Sequence, residues 1–157
     1  MAIALTDLLD ARHVKLGLRS RTMENATREL VSLLVANEQV AESEKFAGQV
    51  IDRELANPSI VEYGVVFPHA RTDLVEKIVL AIGRKSAGIP FGPSGTRANL
   101  IFLIGVPQRL VSDYLICVGA LARIARNHTI RAQLMRAPTS EQFIEILRMA
   151  ASPDGAI

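Results

Sequence analysis

The sequence has few of the residues that mark secreted, membrane-spanning and metal-binding proteins. Among its 157 residues there is one cysteine, Cys117, and no tryptophan. A single cysteine excludes an intramolecular disulfide, and we expect a reducing compartment, the cytoplasm. No apolar run approaches the roughly 20 residues that a membrane-spanning helix needs, so we expect no membrane insertion. His13, His69 and His128 show no metal-ligand spacing, and we predict no metal site. We discount His13 as a surface residue, His128 as a residue at a helix end, and Cys117 as a buried, inert thiol on an apolar stripe.

The charges nearly balance, which argues against a nucleic-acid partner. The chain has 18 Lys plus Arg and 16 Asp plus Glu, although its isoelectric point is about 9.0. It contains no basic run, and only 4% of its residues are aromatic. Nucleic-acid binding domains combine a clustered basic surface with stacking side chains, so we predict that this chain binds no nucleic acid.

The chain shows no internal repeat, low-complexity stretch or linker rich in proline, glycine and serine. A length of 157 residues suits one domain that buries a core without disulfides. We therefore expect a single domain over residues 1–157, with residues 152–157 as a frayed tail.

Apolar residues at helical spacing predict five helices. Ser20 is the expected N-cap of the first, and Pro58 should end the second by Ala56. Thr139 and Gln142 form a capping-box pattern ahead of the last helix. The predicted helices carry their apolar stripes over residues 23–34, 43–55, 114–125, 129–135 and 143–150.

Four other segments are typical of strands. Val14, Leu16 and Leu18 alternate with polar or small residues, which predicts a short strand over 13–18. Three apolar runs follow, at residues 64–67, 77–83 and 99–105, and the last two are apolar enough that both faces should be covered. Residues 88–95 are dense in turn formers and predict a surface loop. The order of elements predicts an α/β fold in which helices flank a small mixed β-sheet.

One histidine is placed where chemistry is possible. Residues 64–71 read Gly-Val-Val-Phe-Pro-His-Ala-Arg, so a buried strand leads to His69 just past Pro68. Because proline lacks an N–H donor, we expect strand pairing to stop there and the imidazole to face a cleft. One ring nitrogen could act as a nucleophile while the other donates to a carbonyl. A structural or surface role for this histidine is the alternative.

The histidine motif also resembles a known family. Arg53-Glu54, a short linker with Ser59 and the run ending in Pro68-His69 resemble the signature of fructose/mannitol-type enzyme IIA domains of the bacterial phosphotransferase system, including their nitrogen-regulatory branch. The likeness extends to the first helix, the strands near 77–83 and 101–107, and residues 134–147.

This resemblance implies a fold, an activity and a set of partners. The fold is a small mixed sheet flanked by helices, and the activity is that of a phosphotransferase with a phosphohistidine intermediate. His69 accepts phosphate from a histidine phosphocarrier protein and passes it to a cysteine of an enzyme IIB partner or uses it to regulate a target protein. No metal, nucleotide or other cofactor takes part, and a homodimer is left open.

Arg53 is the predicted second catalytic residue. A transferring phosphoryl group spreads negative charge over its equatorial oxygens, which a guanidinium fork suits well. By helical spacing Arg53 lies at the edge of the apolar stripe and Glu54 near its middle, so both should face the protein body. A structural ion pair is the alternative. Ser59 and Arg71 are weaker candidates for phosphate-site support, since either could serve turn or surface chemistry.

Tyr114 marks a departure from the family pattern. Many relatives carry a second histidine near the start of the helix after the last apolar strand, and Tyr114 occupies the matching position here. A phenol can donate a hydrogen bond to phosphate but does not become cationic near neutral pH. The change fits a regulatory or divergent member better than a sugar-transport one. The alternative is that Tyr114 only packs at the top of its apolar stripe.

Three functions stay open on the sequence alone. The first is a phosphocarrier that receives and donates phosphate through His69. The second is a non-catalytic regulatory binding module whose partner choice depends on its phosphorylation state. The third is a fold relative that has lost phosphotransfer, against which the presence together of His69, Arg53 and Pro68 argues.

Overall fold

The computed structural model describes residues 3–151, in which helices cover both faces of one sheet. The tail predicted for residues 152–157 lies outside the described residues. The α-helices are α1 (Met23–Ala36), α2 (Ser43–Ala56), α3 (Val111–Arg126), α4 (His128–Arg136) and α5 (Ser140–Ala151). The strands are β1 (Val14–Lys15), β2 (Val65–Val66), β3 (His69–Arg71), β4 (Val79–Phe91) and β5 (Thr96–Val106), and short 3₁₀ helices cover Leu5–Leu8, Ala11–His13 and Gln108–Leu110.

The sheet is mixed, as predicted. Its strand order is β1-β4-β5-β2, and β3 follows β2 in line along the same edge of β5. The long β4–β5 hairpin is antiparallel, whereas β1 pairs with β4 and both β2 and β3 pair with β5 in parallel. Parallel neighbours need a long connection, and the one between β1 and β4 includes α1 and α2, whereas β4 itself lies between β2 or β3 and their partner β5.

Two apolar cores lie on opposite faces of this sheet. Successive side chains of a strand point to opposite faces, so the wholly apolar run of β5 supplies both cores. Ile101 and Leu103 join α1 and α2 on one face, while Leu100, Phe102 and Ile104 join α3, α4 and α5 on the other. The prediction that both faces of the two long strands are covered is confirmed.

All five predicted helices are present, and their ends follow local capping chemistry. The Thr22 hydroxyl oxygen accepts from Asn25 N at 3.2 Å and caps α1, so the prediction of Ser20 as N-cap is wrong. Helix α2 ends at Ala56, before Pro58, as predicted. The hydroxyl of Thr139 accepts from Gln142 N at 3.1 Å ahead of α5.

The segment before α1 is less regular than predicted. Only Val14 and Lys15 pair with β4, and Val14 and Leu18 enter different cores. The chain crosses the edge of the sheet here, and Gly83 leaves room for it, because a Cβ at that position would lie 2.6 Å from Leu18 Cδ1. His13, which the sequence placed at the surface, is buried with 6% exposure.

The prediction of a surface loop over residues 88–95 is wrong for its first half, residues 88–91. Strand β4 continues to Phe91 and pairs with β5 again from Ile89, after an irregularity that begins at Arg84. Ile89 and Phe91 are buried in the core under α1 and α2, and that burial outweighs the turn-forming tendency of the glycines and prolines around them. Only residues 92–95 form the turn.

Within residues 3–151, no helix combines the length and hydropathy needed to cross a bilayer.

Glu29 ties the β1–α1 connection to α1. Its carboxylate accepts from the Ser20 hydroxyl at 2.6 Å and from the main-chain N–H groups of Arg19 and Ser20 at 3.0 Å, and it pairs with Lys15 Nζ at 2.7 Å. Burial raises the pKa of Glu29, but the hydrogen bonds from Lys15, Ser20 and Arg19 outweigh it and bring the pKa to about 2.

Glu29→Gln should destabilise the fold in a pH-dependent way. In the unfolded chain Glu29 binds a proton near its ordinary pKa of 4.5. The ionised carboxylate therefore contributes fully to the stability of the fold above that pH, and this contribution is lost as the pH falls towards 2. We expect Glu29→Gln to lower the free energy of unfolding by about 2 kcal/mol at pH 7. The difference from the wild type should shrink as the pH falls from 4.5 to 2. Urea titrations followed by circular dichroism measure this difference. The exposed Glu44, which pairs with Arg28 at 3.6 Å, is the control, and Glu44→Gln should cost less than about 0.5 kcal/mol. Equal effects of the two variants would contradict the prediction.

Candidate functional site

His69 lies at the edge of the sheet, in an extended segment that crosses Pro68. Val66 pairs with Ile101 and His69 with Ile104, so the register is the same on both sides of the proline. Ile104 N donates to Pro68 O at 2.9 Å. The prediction that pairing stops at Pro68 is therefore wrong. A strand at the edge of a sheet tolerates a proline, which has no N–H to donate. Pairing of β3 with β5 resumes after Pro68 and holds His69 in place.

The two nitrogens of the His69 ring have different surroundings. The side chain is half-buried, and Nδ1 lies 3.4 Å from the carbonyl oxygen of Phe67. This contact favours the tautomer in which Nδ1 carries the proton and Nε2 keeps its lone pair. Burial lowers the pKa of His69, the charges of Arg53 and Arg71 lower it further, and the Phe67 carbonyl opposes them. A neutral imidazole with a free Nε2 is a competent nucleophile at neutral pH.

Tyr114 packs against His69 from the first turns of α3. The two ring centroids are 5.1 Å apart, with an angle of 36° between the ring planes. Tyr114 is buried, and its burial raises the pKa of the phenol although the charges of Arg53 and Arg71 act in the opposite direction. The phenol therefore stays protonated at neutral pH and is a neutral hydrogen-bond donor.

Two arginines carry positive charges that act on these rings. Arg53 lies in the last turn of α2, and Arg71 follows His69 by two residues on β3, where alternate side chains share a face. Both are exposed, yet the charge of each acts on the pKa of His69 and of Tyr114. The prediction that Arg53 faces the protein body is wrong, because its place at the edge of the stripe lets the long side chain reach solvent.

The structural ion pair considered as the alternative for Arg53 is not formed. Among residues 3–151, Arg53 takes part in no salt bridge. Glu54 is 4% exposed, as its place in the stripe predicted, and its carboxylate accepts hydrogen bonds from Ser59 instead. The His69 and Tyr114 rings are thus packed together, Arg71 shares β3 with His69, and Arg53 lies on α2, which packs against β3, whereas Ser59 is engaged with Glu54.

The residues that the sequence discounted stay outside this group. Cys117 is buried, as predicted. Asn127 caps α4 through its side chain, and the exposed His128 is the first residue of that helix. Within the described part of the chain, no three His, Cys, Asp or Glu side chains are grouped so that they could hold a metal ion.

Comparison with known protein families gives one match that spans most of the chain. Residues 7–150 match the family described as "Phosphoenolpyruvate-dependent sugar phosphotransferase system, EIIA 2". A fructose-specific EIIA component from Haloferax volcanii is 30% identical over 127 residues, which are 80% of this chain and 82% of that protein. A fructose-specific EIIABC component from Bacillus subtilis is 26% identical over 144 residues, 91% of this chain but only 23% of that longer protein.

Solved structures agree on the fold. The nitrogen regulatory protein IIA-Ntr from Neisseria meningitidis has a TM-score of 0.78 at 24% identity and covers 91% of this chain and 98% of its own. The mannitol enzyme IIA from Escherichia coli, solved in complex with phosphorylated enzyme IIB, has a TM-score of 0.77 at 22% identity and covers 89% of this chain and 96% of its own. At these identities the likeness is one of architecture.

Proposed function

This chain belongs to the EIIA 2 family of the phosphoenolpyruvate-dependent sugar phosphotransferase system, and from that premise we propose that it is a phosphocarrier that accepts a phosphoryl group on Nε2 of His69. The donor is a phosphorylated histidine carrier protein, and the acceptor is an enzyme IIB-type partner. The observation that carries the proposal is the His69 ring itself, with Nδ1 directed to Phe67 O and two arginine charges acting on it.

The transfer needs no cofactor and no external proton. The lone pair of Nε2 attacks phosphorus while the N–P bond of the donor phosphohistidine breaks, and its electron pair stays on the donor nitrogen. The His69 ring keeps its Nδ1 proton and becomes cationic, which strengthens its interaction with the carbonyl of Phe67. Arg53 and Arg71 stabilise the equatorial oxygens in flight, and the Tyr114 hydroxyl donates to the phosphate.

Exposed apolar side chains beside these residues suit a docking partner. Leu115 and Ile116 follow Tyr114 directly and are 57% and 61% exposed, and Leu55, two residues after Arg53, is 67% exposed. Exposed apolar side chains on the helices that carry candidate site residues are consistent with an interaction surface. The mannitol relative solved with phosphorylated enzyme IIB is consistent with a partner of that kind.

The likeness to nitrogen regulatory proteins supports a second candidate, a phosphorylation-dependent regulator. A relative with that name in Bradyrhizobium diazoefficiens is 26% identical and covers 92% of this chain and 95% of its own. On this proposal the phosphate on His69 changes which protein binds and is not passed on. Affinity capture with phosphorylated and unmodified protein separates the two candidates, because identical partners in both states count against a switch.

The function is tested by incubating the purified protein with phosphorylated histidine carrier protein. We expect it to take up one phosphate per chain, stable in base and lost in acid, as a phosphoramidate is. Intact-mass spectrometry and ³¹P NMR measure both properties. A phosphate that survives acid, or no phosphate at all, would contradict the proposal, and the second outcome favours a relative that has lost phosphotransfer.

A further inference from the structure

A buried carboxylate closes the end of α2. Glu54 is 4% exposed, and burying a carboxylate costs free energy unless hydrogen bonds compensate it. Both of its oxygens are occupied by one residue: Oε2 accepts from Ser59 N at 3.0 Å, and Oε1 accepts from the Ser59 hydroxyl. This pair of bonds fastens the loop at residues 57–64 to the last turn of the helix.

The same turn carries Arg53, whose side chain has no anchor of its own. Arg53 is exposed and forms no salt bridge with any described residue. The region that its guanidinium can reach is therefore limited by the position of the Arg53 backbone at the end of α2. There the Arg53 carbonyl accepts from Asn57 N at 2.8 Å, and the Glu54–Ser59 bonds begin at the next residue.

The far end of the loop is held independently. The guanidinium of Arg131 lies 4.6 Å from the centroid of the Tyr63 ring, and Gly64 O accepts from the main-chain nitrogens of Asn99 and Leu100. These contacts fix the entry into β2 and hence the strand that leads to His69. Loss of the Glu54–Ser59 bonds should therefore release the α2 end of the loop while His69 stays in place.

The hydroxyl of Ser59 has another use than the one the sequence suggested. A serine hydroxyl has one hydrogen to donate, and here that hydrogen is directed to Glu54. It cannot also be donated to a phosphate oxygen.

We propose that Glu54 and Ser59 form a positioning latch that holds Arg53 towards His69. This inference rests on the proposed function in taking phosphate as the group that Arg53 stabilises. Neither latch residue contacts the phosphate. Both act through the position of Arg53.

The first test measures the effect of the latch on the pKa of His69 in the unphosphorylated protein. Since the Arg53 charge lowers the pKa of His69, Ser59→Ala and Glu54→Gln should each raise that pKa towards its value in Arg53→Gln, measured by NMR titration of the ring. Removal of the Glu54 charge by itself would lower the pKa of His69, so the two explanations differ in sign. Ser59→Thr, which keeps the hydroxyl, should restore the wild-type value, and Glu62→Gln, an exposed carboxylate of the same loop, should leave it unchanged.

The second test is a double-mutant cycle on the rate of phosphorylation by the histidine carrier protein. Ser59→Ala and Glu54→Gln should each slow it about 10-fold. The double variant should be no slower than the slower single one, and neither change should slow Arg53→Gln further. Additive losses, or a loss in Ser59→Ala with an unchanged pKa of His69, would overturn the latch in favour of direct phosphate contact.

Two controls keep the result interpretable. Thermal unfolding of each variant identifies any that fail to fold. If Glu54→Gln does not fold, the comparison of Ser59→Ala with Ser59→Thr tests the latch, because both variants keep the Glu54 charge. If the wild-type protein accepts no phosphate, the proposed function fails while the NMR titration still judges the latch. If the pKa of His69 is the same in Ser59→Ala as in the wild type, the latch fails.

Discussion

Replacement of His69 with glutamine is expected to abolish phosphate uptake altogether. Glutamine has about the size of histidine and keeps a side-chain hydrogen-bonding group, but its amide nitrogen has no lone pair available to attack phosphorus. The incubation with phosphorylated carrier protein should give one phosphate per chain in the wild type and none in His69→Gln, as read by intact-mass spectrometry.

The other two histidines provide the controls for this result. His128→Gln changes an exposed residue at the start of α4 and should leave uptake at the wild-type level. His13 is buried, so its variant tests folding at the same time and is the less suitable control. Phosphate on His69→Gln, located by peptide mapping on another side chain, would refute the assignment of His69.

Neutralisation of Arg53 should give the second largest loss. Removal of one preorganised group that stabilises charge in a transition state slows comparable reactions by roughly 10² to 10³-fold. We expect a loss of this size for Arg53→Gln in single-turnover phosphorylation. Arg53→Lys should retain part of the rate, because it keeps the charge but loses the bidentate fork.

The Arg53 prediction also has a signature in the unphosphorylated protein. The charge of Arg53 lowers the pKa of His69, so Arg53→Gln should raise that pKa, and a larger share of the variant should be protonated and unreactive on the acidic side of neutrality. The loss of rate should therefore deepen as pH falls from 7.5 to 6. Arg136→Gln, which neutralises an exposed arginine in the last turn of α4, is the control. Equal rates in both variants would show that Arg53 does not act on the phosphate.

Tyr114 bears on how this site differs from the pattern with two histidines. Its phenol is buried, and its raised pKa keeps it neutral, and because a phenol, unlike an imidazole, does not become cationic, it adds no positive charge next to His69. Arg53 and Arg71 are the cations that act on the rings of His69 and Tyr114. For this reason we expect the rate to depend more on Arg53 here than in a site where a second imidazole shares the charge.

Much of the architecture could be predicted because it depends on local patterns. The apolar stripe of α2 predicted the length of that helix and the burial of Glu54. The helix ends before Pro58 because of a steric restriction that acts on the residue before a proline. The prediction failed where tertiary packing outweighed a local pattern. Gly88 and Pro90 suggested a loop, but Ile89 and Phe91 between them are buried under helices from the first half of the chain.

The candidate site was predictable in part. The sequence could select His69, because a proline and a histidine after a buried strand form a recognisable motif. It could select Arg53 and Tyr114 only through the resemblance to a family, since nothing in the spacing relates residues 53, 69 and 114. The role it suggested for Ser59 did not anticipate that the hydroxyl is directed to Glu54.

Local patterns in the chain were thus enough to predict the helices, the apolar strands and the residue types of the site, because hydrophobic periodicity and the chemistry of proline act over a few residues. The three-dimensional structure was needed to show that Arg53 and Arg71 act on the rings of His69 and Tyr114, that Nδ1 faces Phe67, and that Glu54 holds Ser59. The charge effects join α2, β3 and α3, and the contacts of Phe67 and Ser59, which span only two and five residues, depend on side-chain conformations that packing selects. Their distances follow from how the two helical layers pack on the sheet, which no local pattern contains.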